Sequence, residues 1–383
     1  MAPTTSGPGL LGALAMAGEV ADEIVLGTVR DVHGAWAARA FGAAGSGLPR
    51  RVHDGVAGAV YGGLGRGLRG TVRLLRTADQ RGLGSRLDAT PQGRFAVAAV
   101  NGLIGDRLAE QGSDLAITLA VRHRGRDVPV DLGHLAGTFP QATGDLVVFL
   151  HGLGESDAAW SLHAEETGGT YGDTLAGHGW TPVLLRANTG LPIAQNAVAL
   201  ASLLDDLVAC WPTEVRRIAL VGHSMGGLVM RAACAVSTDA TTAWTDTVTD
   251  VVTLGTPHLG APLERTVRAG ARALGVLPES APFGRILDYR STGILDLRDG
   301  LARDLEHLPH ARYHLVAATL GGPRWNPLGE VLGDLLVRYP SATGRPRRGP
   351  QMFPEADVLH VRGDHFDLLN HPQVHGALVD WLG

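Results

Sequence analysis

Hydrophobic positions along this chain change their spacing near residue 115, and the change divides it in two. Before that point Val52, Val56, Val60, Leu64, Leu68, Val72 and Leu75 recur every three or four residues, the spacing of one face of a long helix. Gly55, Gly58, Gly62, Gly63, Gly65, Gly67 and Gly70 lie among them, each costing up to about 1 kcal/mol relative to Ala in a helix interior. Such a helix holds only when packed, and its small residues suit a close contact within the chain or with a second copy in a homo-oligomer. A further helix is predicted over roughly 92–110, with Phe95, Ala99, Leu103 and Leu108 as its packing positions.

From Leu115 the pattern becomes extended. Residues 115–121 and 128–130 flank a polar Arg124-Gly125-Arg126 turn and read as an antiparallel hairpin at a sheet edge. Beyond it, short apolar runs at 146–150, 182–185, 218–221, 251–254, 315–318 and 358–361 alternate with helical stretches. That alternation predicts an α/β fold, a mostly parallel sheet covered by helices on both faces. The expected organisation is a helical Gly/Ala/Arg-rich region over 1–113 and an α/β domain over 114–383. A helical insertion at about 260–310 is expected to form a lid above the strand ends, with Leu263, Val267, Leu274, Val276, Leu277, Phe283 and Ile286 as candidates to line an acyl pocket. Trp160 and Trp325 are candidates for its border.

Composition narrows the chemistry. Apolar residues make up 45% and charged residues 19%, a globular balance, and a net charge of −5 points away from a nucleic-acid partner. All 33 cationic residues are Arg; with no Lys, a Walker-type phosphate loop and a lysine Schiff base are both excluded. Cys210 and Cys234 make neither a disulfide framework nor a metal cluster and are expected to be free. The apolar run at 10–17 has no basic residue before it, unlike a secretory signal, so the expected compartment is the cytoplasm. No apolar run is expected to reach the ~20 residues of a membrane span. Arg50, Arg51, Arg66, Arg69, Arg73, Arg76, Arg81 and Arg86 give the N-terminal helices a basic face, suited to peripheral contact with an anionic membrane and equally to simple solvation.

The most informative stretch is Leu220-Val221-Gly222-His223-Ser224-Met225-Gly226-Gly227. A buried strand runs into it and an apolar helix leaves it, the setting a Gly-x-Ser-x-Gly nucleophile elbow requires. Two other strands end in glycine-rich polar loops, His151-Gly152-Leu153-Gly154-Glu155-Ser156 and Gly255-Thr256-Pro257-His258-Leu259-Gly260. In sheets of this kind sites form at the carboxyl ends of strands.

In this order the three motifs resemble the α/β-hydrolase superfamily and, within it, bacterial lipases and esterases of the triacylglycerol-lipase type and the related GPI inositol-deacylase-like group. The resemblance covers roughly 115–383 and leaves the N-terminal third unexplained. It implies a serine hydrolase of carboxylic esters that needs no metal or organic cofactor, acting on substrates with an apolar acyl chain. Ser224 would be the nucleophile, and chain order then demands an acid followed by a histidine. His365, in Gly363-Asp364-His365-Phe366 after the last strand, is the best base, with His360 the alternative. Asp334, in Gly333-Asp334-Leu335-Leu336-Val337, matches the segment that carries the acid in related lipases; Asp364 and Asp357 are less well placed. The oxyanion donors would be the backbone N–H groups of Met225 and, by resemblance, Leu153. His223 is expected to point away from the site, and His151 and His258 to brace loops. Acyl transfer or thioester hydrolysis would use the same triad, and a noncatalytic membrane-associated protein that kept the fold is the reading from another class.

Overall fold

The computed structural model describes residues 90–236, 243–260, 292–296, 307–319, 337–346 and 348–383, together with positions 70, 73, 74, 77, 305 and 334. Most of the long helix expected over 52–75, most of the lid insertion and Trp325 lie outside the described residues. By contacts the chain divides into two units, one of residues 1–97, 113–115 and 265–290, the other of 98–112, 116–264 and 291–383. The second unit holds the sheet.

Among the described residues, eight strands form one sheet: β1 (Ala120–His123), β2 (Arg126–Val128), β3 (Asp145–Leu150), β4 (Thr181–Arg186), β5 (Arg217–His223), β6 (Val248–Leu254), β7 (Arg312–Thr319) and β8 (Asp357–Arg362). Their order is β2-β1-β4-β3-β5-β6-β7-β8. The predicted hairpin is β1–β2, turning at Arg124 and Gly125, both at positive φ, with Val121 opposite Val128. Its first strand begins at Ala120 rather than Leu115, because residues 115–119 form turn and coil. β1 also pairs antiparallel with β4, and every later pairing is parallel.

Alternation along the strands builds two cores. Leu146, Val148 and Leu150 of β3, with Ile218 and Leu220 of β5, face one side. Val147, Phe149, Ala219 and Val221 face the other. The first face is covered by α2 (Ile193–Cys210) and α3 (Met225–Cys234), the second by α4 (Pro372–Leu382). Each such fully buried side chain is worth about 1.5–3 kcal/mol. α2, 18 residues, is long and apolar enough to cross a bilayer by length and composition, although Asp205 and Asp206 interrupt its apolar run. Its Ile193, Ala197, Leu200, Leu204 and Leu207 are instead spent on the core, at the three- and four-residue spacing of one helix face.

The helix predicted over 92–110 is α1 (Pro91–Glu110), interrupted at Ile104 by non-helical backbone. Its residues 98–110 group with the sheet and residues 91–97 with the other unit. Leu108 is buried as expected, but Phe95 and Leu103 are exposed. The packed face from Ala98 onward joins Ile104 and Leu108 to small and polar residues, Ala98, Asn101, Gly102 and Gly105. A Cβ on Gly102 would lie 2.8 Å from the Gly154 backbone. The buried Asn101 side chain accepts a hydrogen bond from the Ile117 N–H, and Asn188 donates to the Gly105 carbonyl. Trp160 is also core, its ring 4.9 Å from Phe149. Cys210 and Cys234 are free, and burial pushes the Cys234 thiol up to about 12.

Candidate active site

β5 ends at His223, and Ser224 follows with φ 51° and ψ −120°, a conformation costing on the order of 1–3 kcal/mol for a residue with a side chain. The turn is held by its backbone: Ser224 N–H donates to the Leu254 carbonyl of β6, 2.8 Å, and Gly227 N–H to the Ser224 carbonyl, 3.2 Å. Gly226 has no room for a side chain, since a Cβ there would collide with the carbonyl oxygens of Leu150 and His151. The strand, the strained serine and the helix α3 are the elbow that the motif predicted.

The loop after β3 passes directly over it. A Cβ on Gly152 would come 2.9 Å from Ser224 Cβ, so only glycine lets the loop run this close to the serine. Next to Gly152 stands Leu153, partly buried against the core. His151 is buried and fixes the base of the loop. Its Nε2 accepts from the Ala187 N–H, so its Nδ1 carries the proton donated to the Gly152 carbonyl. Burial holds this ring neutral, lowering its pKa. Farther along, Gly154 N–H donates to Thr189 Oγ1, 2.9 Å.

His365 lies after β8, and its Nδ1 stands 2.7 Å from Asp334 Oδ2, both groups buried. Because a carboxylate only accepts, Nδ1 is the protonated nitrogen and Nε2 is left with its lone pair. The backbone reinforces the pair: His365 N–H donates to the Asp334 carbonyl, and Asp334 Oδ1 accepts from Val337 N–H. A Cβ on Gly255, the residue after Leu254, would lie 3.0 Å from His365 Cε1. The imidazole and the serine backbone therefore meet the same short stretch at the end of β6. The segment beyond His365 is pinned by Asn370, whose amide donates to the carbonyls of Trp160 and Leu162 and accepts from the Tyr171 N–H.

The other candidates fall elsewhere. His360 Nε2 sits 2.8 Å from Thr319 Oγ1 within the sheet. Asp364 caps the turn after it, accepting from the N–H groups of Phe366 and Asp367. Asp357 opens β8 and lies 3.0 Å from His314. His258 braces the loop after β6, between Arg231 and Thr253, its pKa lowered by burial and by Arg231.

His223 is closer to the site than its position on the turn suggested. Its ring, fully buried, lies 4.7 Å from the His365 ring. His223 Nδ1 is 3.0 Å from Glu155 Oε2, and His223 Nε2 is 3.2 Å from the His365 carbonyl. Glu155 was not singled out by sequence; its only local signal is its place three residues after Gly152, whose N–H it accepts at 2.9 Å.

With an eight-stranded, mostly parallel sheet, helices on both faces and a strained serine between β5 and its following helix, the architecture is settled. The chain has the α/β-hydrolase fold. Residues 193–269, which carry α2, β5, the elbow and β6, match the family model described as PGAP1-like alpha/beta domain. No curated protein matches the sequence. Among solved structures, the mature Bacillus licheniformis lipase BlEst2 is 21% identical, with 62% of this chain and 91% of that chain covered and a TM-score of 0.44. A thermophilic esterase from Thermogutta terrifontis is 14% identical over 63% and 90%, TM-score 0.39. Carboxylesterase CesB from Bacillus subtilis is 12% identical over 74% and 98%, TM-score 0.38.

Proposed function

We propose that this chain is a hydrolase of carboxylic esters that works through Ser224, His365 and Asp334. The reading rests on one observation above the others: a buried histidine–carboxylate pair at 2.7 Å, beside a serine held at positive φ on a strand-to-helix turn. In the proposed reaction Ser224 Oγ attacks the ester carbonyl carbon and its proton passes to His365 Nε2. Asp334 keeps the imidazole in the required tautomer and stabilises its cation. The carbonyl π electrons move to oxygen, and the N–H groups of Met225 and Leu153 are the donors assigned to that oxyanion. Collapse expels the alcohol, which takes the proton from His365, and leaves an acyl-serine. Water, deprotonated by the same nitrogen, then releases the carboxylic acid.

An ester with an apolar acyl chain is the proposed substrate class, in line with the family match at 193–269 and the lipase and esterase neighbours. Hydrolysis of p-nitrophenyl esters from two to sixteen carbons is the test. A rate maximum at one chain length, abolished in Ser224→Ala, is expected; hydrolysis that survives Ser224→Ala in pure protein overturns the proposal. We further propose a cytoplasmic protein that reaches its substrate at an anionic membrane through its arginine-rich N-terminal region. Failure to cosediment with anionic vesicles at low salt would remove the membrane part.

A further inference from the structure

The site contains a second histidine–carboxylate pair that the proposed reaction does not use. Glu155 and His223 come from the loop after β3 and the end of β5; His223 is fully buried and the Glu155 side chain is 11% exposed. Glu155 Oε2 takes two hydrogen bonds, from Gly152 N–H at 2.9 Å and from His223 Nδ1 at 3.0 Å. The other imidazole nitrogen, Nε2, faces the His365 carbonyl at 3.2 Å. Both nitrogens of His223 thus face acceptors, an arrangement satisfied in full only by the doubly protonated ring. One carboxylate and one imidazolium join three segments. These are the loop that crosses the serine, the residue preceding the serine, and the main chain of the proposed base.

We infer that Glu155 and His223 are positioning residues for the proposed hydrolysis, an ion pair that sets the loop carrying Gly152 and Leu153 against Ser224 and His365. The inference rests on the hydrolase reading given above. Its physical content is that the oxyanion donor and the base belong to loops with no direct backbone bond to each other among the described contacts, and the pair bridges them. Burial disfavours both charges, yet attraction to His223 and the Gly152 N–H hold the Glu155 carboxyl down at about 2. Burial likewise opposes the His223 cation, and Glu155, the His365 carbonyl and Asp334 together raise its pKa. The titratable groups facing the pair from neighbouring elements are His151, Asp334 and His365.

A positioning role differs from a merely structural one in where its loss appears. Misplacing a loop by about 1 Å costs up to about 100-fold in the chemical step. For Glu155→Gln and His223→Gln in the full chain, kcat on a p-nitrophenyl ester is expected to fall about 10- to 100-fold with KM within about twofold. The double variant is expected to lose little more than either single one, because the two act as a unit. Unchanged kcat in a folded Glu155→Gln protein, a loss confined to KM, or fully additive losses would overturn the inference. Should neither variant fold, imidazole 15N shifts of His223 in the wild type decide it: both nitrogens protonated at pH 6 is expected, and a neutral ring there overturns it. A wild type without esterase activity rejects the hydrolase reading and this inference with it; an active wild type with an indifferent Glu155 rejects this inference alone.

Discussion

Histidine–carboxylate pairs stand at both ends of this sheet, and the proposed reaction uses only one of them. At the amino ends of β6 and β7, His314 Nε2 lies 2.9 Å from the fully buried Asp250, with Arg312 on the same carboxylate and Trp381 stacked on the imidazole at 4.6 Å. At the carboxyl ends, His365 lies 2.7 Å from Asp334. Distance and burial barely separate the two pairs. Their surroundings do: His314 lies between two carboxylates, Asp250 and Asp357, and against an indole, whereas the His365 ring packs at Gly255, next to the Leu254 carbonyl that accepts from the Ser224 N–H. A histidine–carboxylate pair becomes chemistry through what its free nitrogen meets, and the parallel sheet decides this by gathering its loops at one end.

The sharpest way to break the comparison is to swap the consequences of the two pairs. Asp334→Asn is expected to lower kcat by about 10,000-fold, the cost of the wrong tautomer, with the melting temperature changed far less than activity; steady-state kinetics beside thermal unfolding checks this. Asp250→Asn is expected to do the reverse. The amide keeps one acceptor oxygen but loses the buried charge shared by His314 and the more exposed Arg312, which costs about 1–3 kcal/mol of stability in denaturant unfolding, while kcat stays within about twofold. Equal effects on activity from both variants would erase the distinction.

A smaller effect is expected from the helix that precedes the sheet. Gly102→Ala places a Cβ against the Gly154 backbone, and overpacking of this kind costs about 1–3 kcal/mol. Part of the displacement should pass to the loop over Ser224, so a fall in kcat beyond the loss of stability is expected. A variant as active and stable as the wild type would show that α1 does not support that loop.

The smallest effect is in pH. The Glu155 carboxyl is depressed from 4.5 to about 2, so its stabilisation is present above about 4.5 and lost as pH falls through 2. The His223 imidazole is raised above 6.5, so its share is complete below 6.5 and lost as pH rises through its folded value. Their joint contribution is greatest between these limits. Thermal unfolding of wild type minus Glu155→Gln should peak at about pH 5–6; a difference independent of pH would deny the ion pair.

What the sequence disclosed follows from locality. Buried parallel strands read as short apolar runs, so β3 to β8 were legible to within a few residues, as was the elbow, whose strand, glycines and helix are contiguous. Asp334 and His365 were found through motif and chain order, although 31 residues separate them. Glu155–His223 and Asp250–His314 were not legible as pairs, because each joins residues 68 or 64 positions apart; Glu155 and His223 lie within quoted motifs, but neither motif points to the other as a partner. Phe95 and Leu103 misled for a related reason: the helical period identified a helix, but close approach to Gly154 and Asn188 selected its small-residue face instead.

The most direct test of the account is to treat the folded protein with a fluorophosphonate, map the adduct by peptide mass, and repeat on Ser224→Ala. A single adduct on Ser224, absent from the variant and blocked by prior incubation with an ester substrate, is the predicted result. An adduct on another residue, or a folded wild type that takes no label and cleaves no ester, would contradict it.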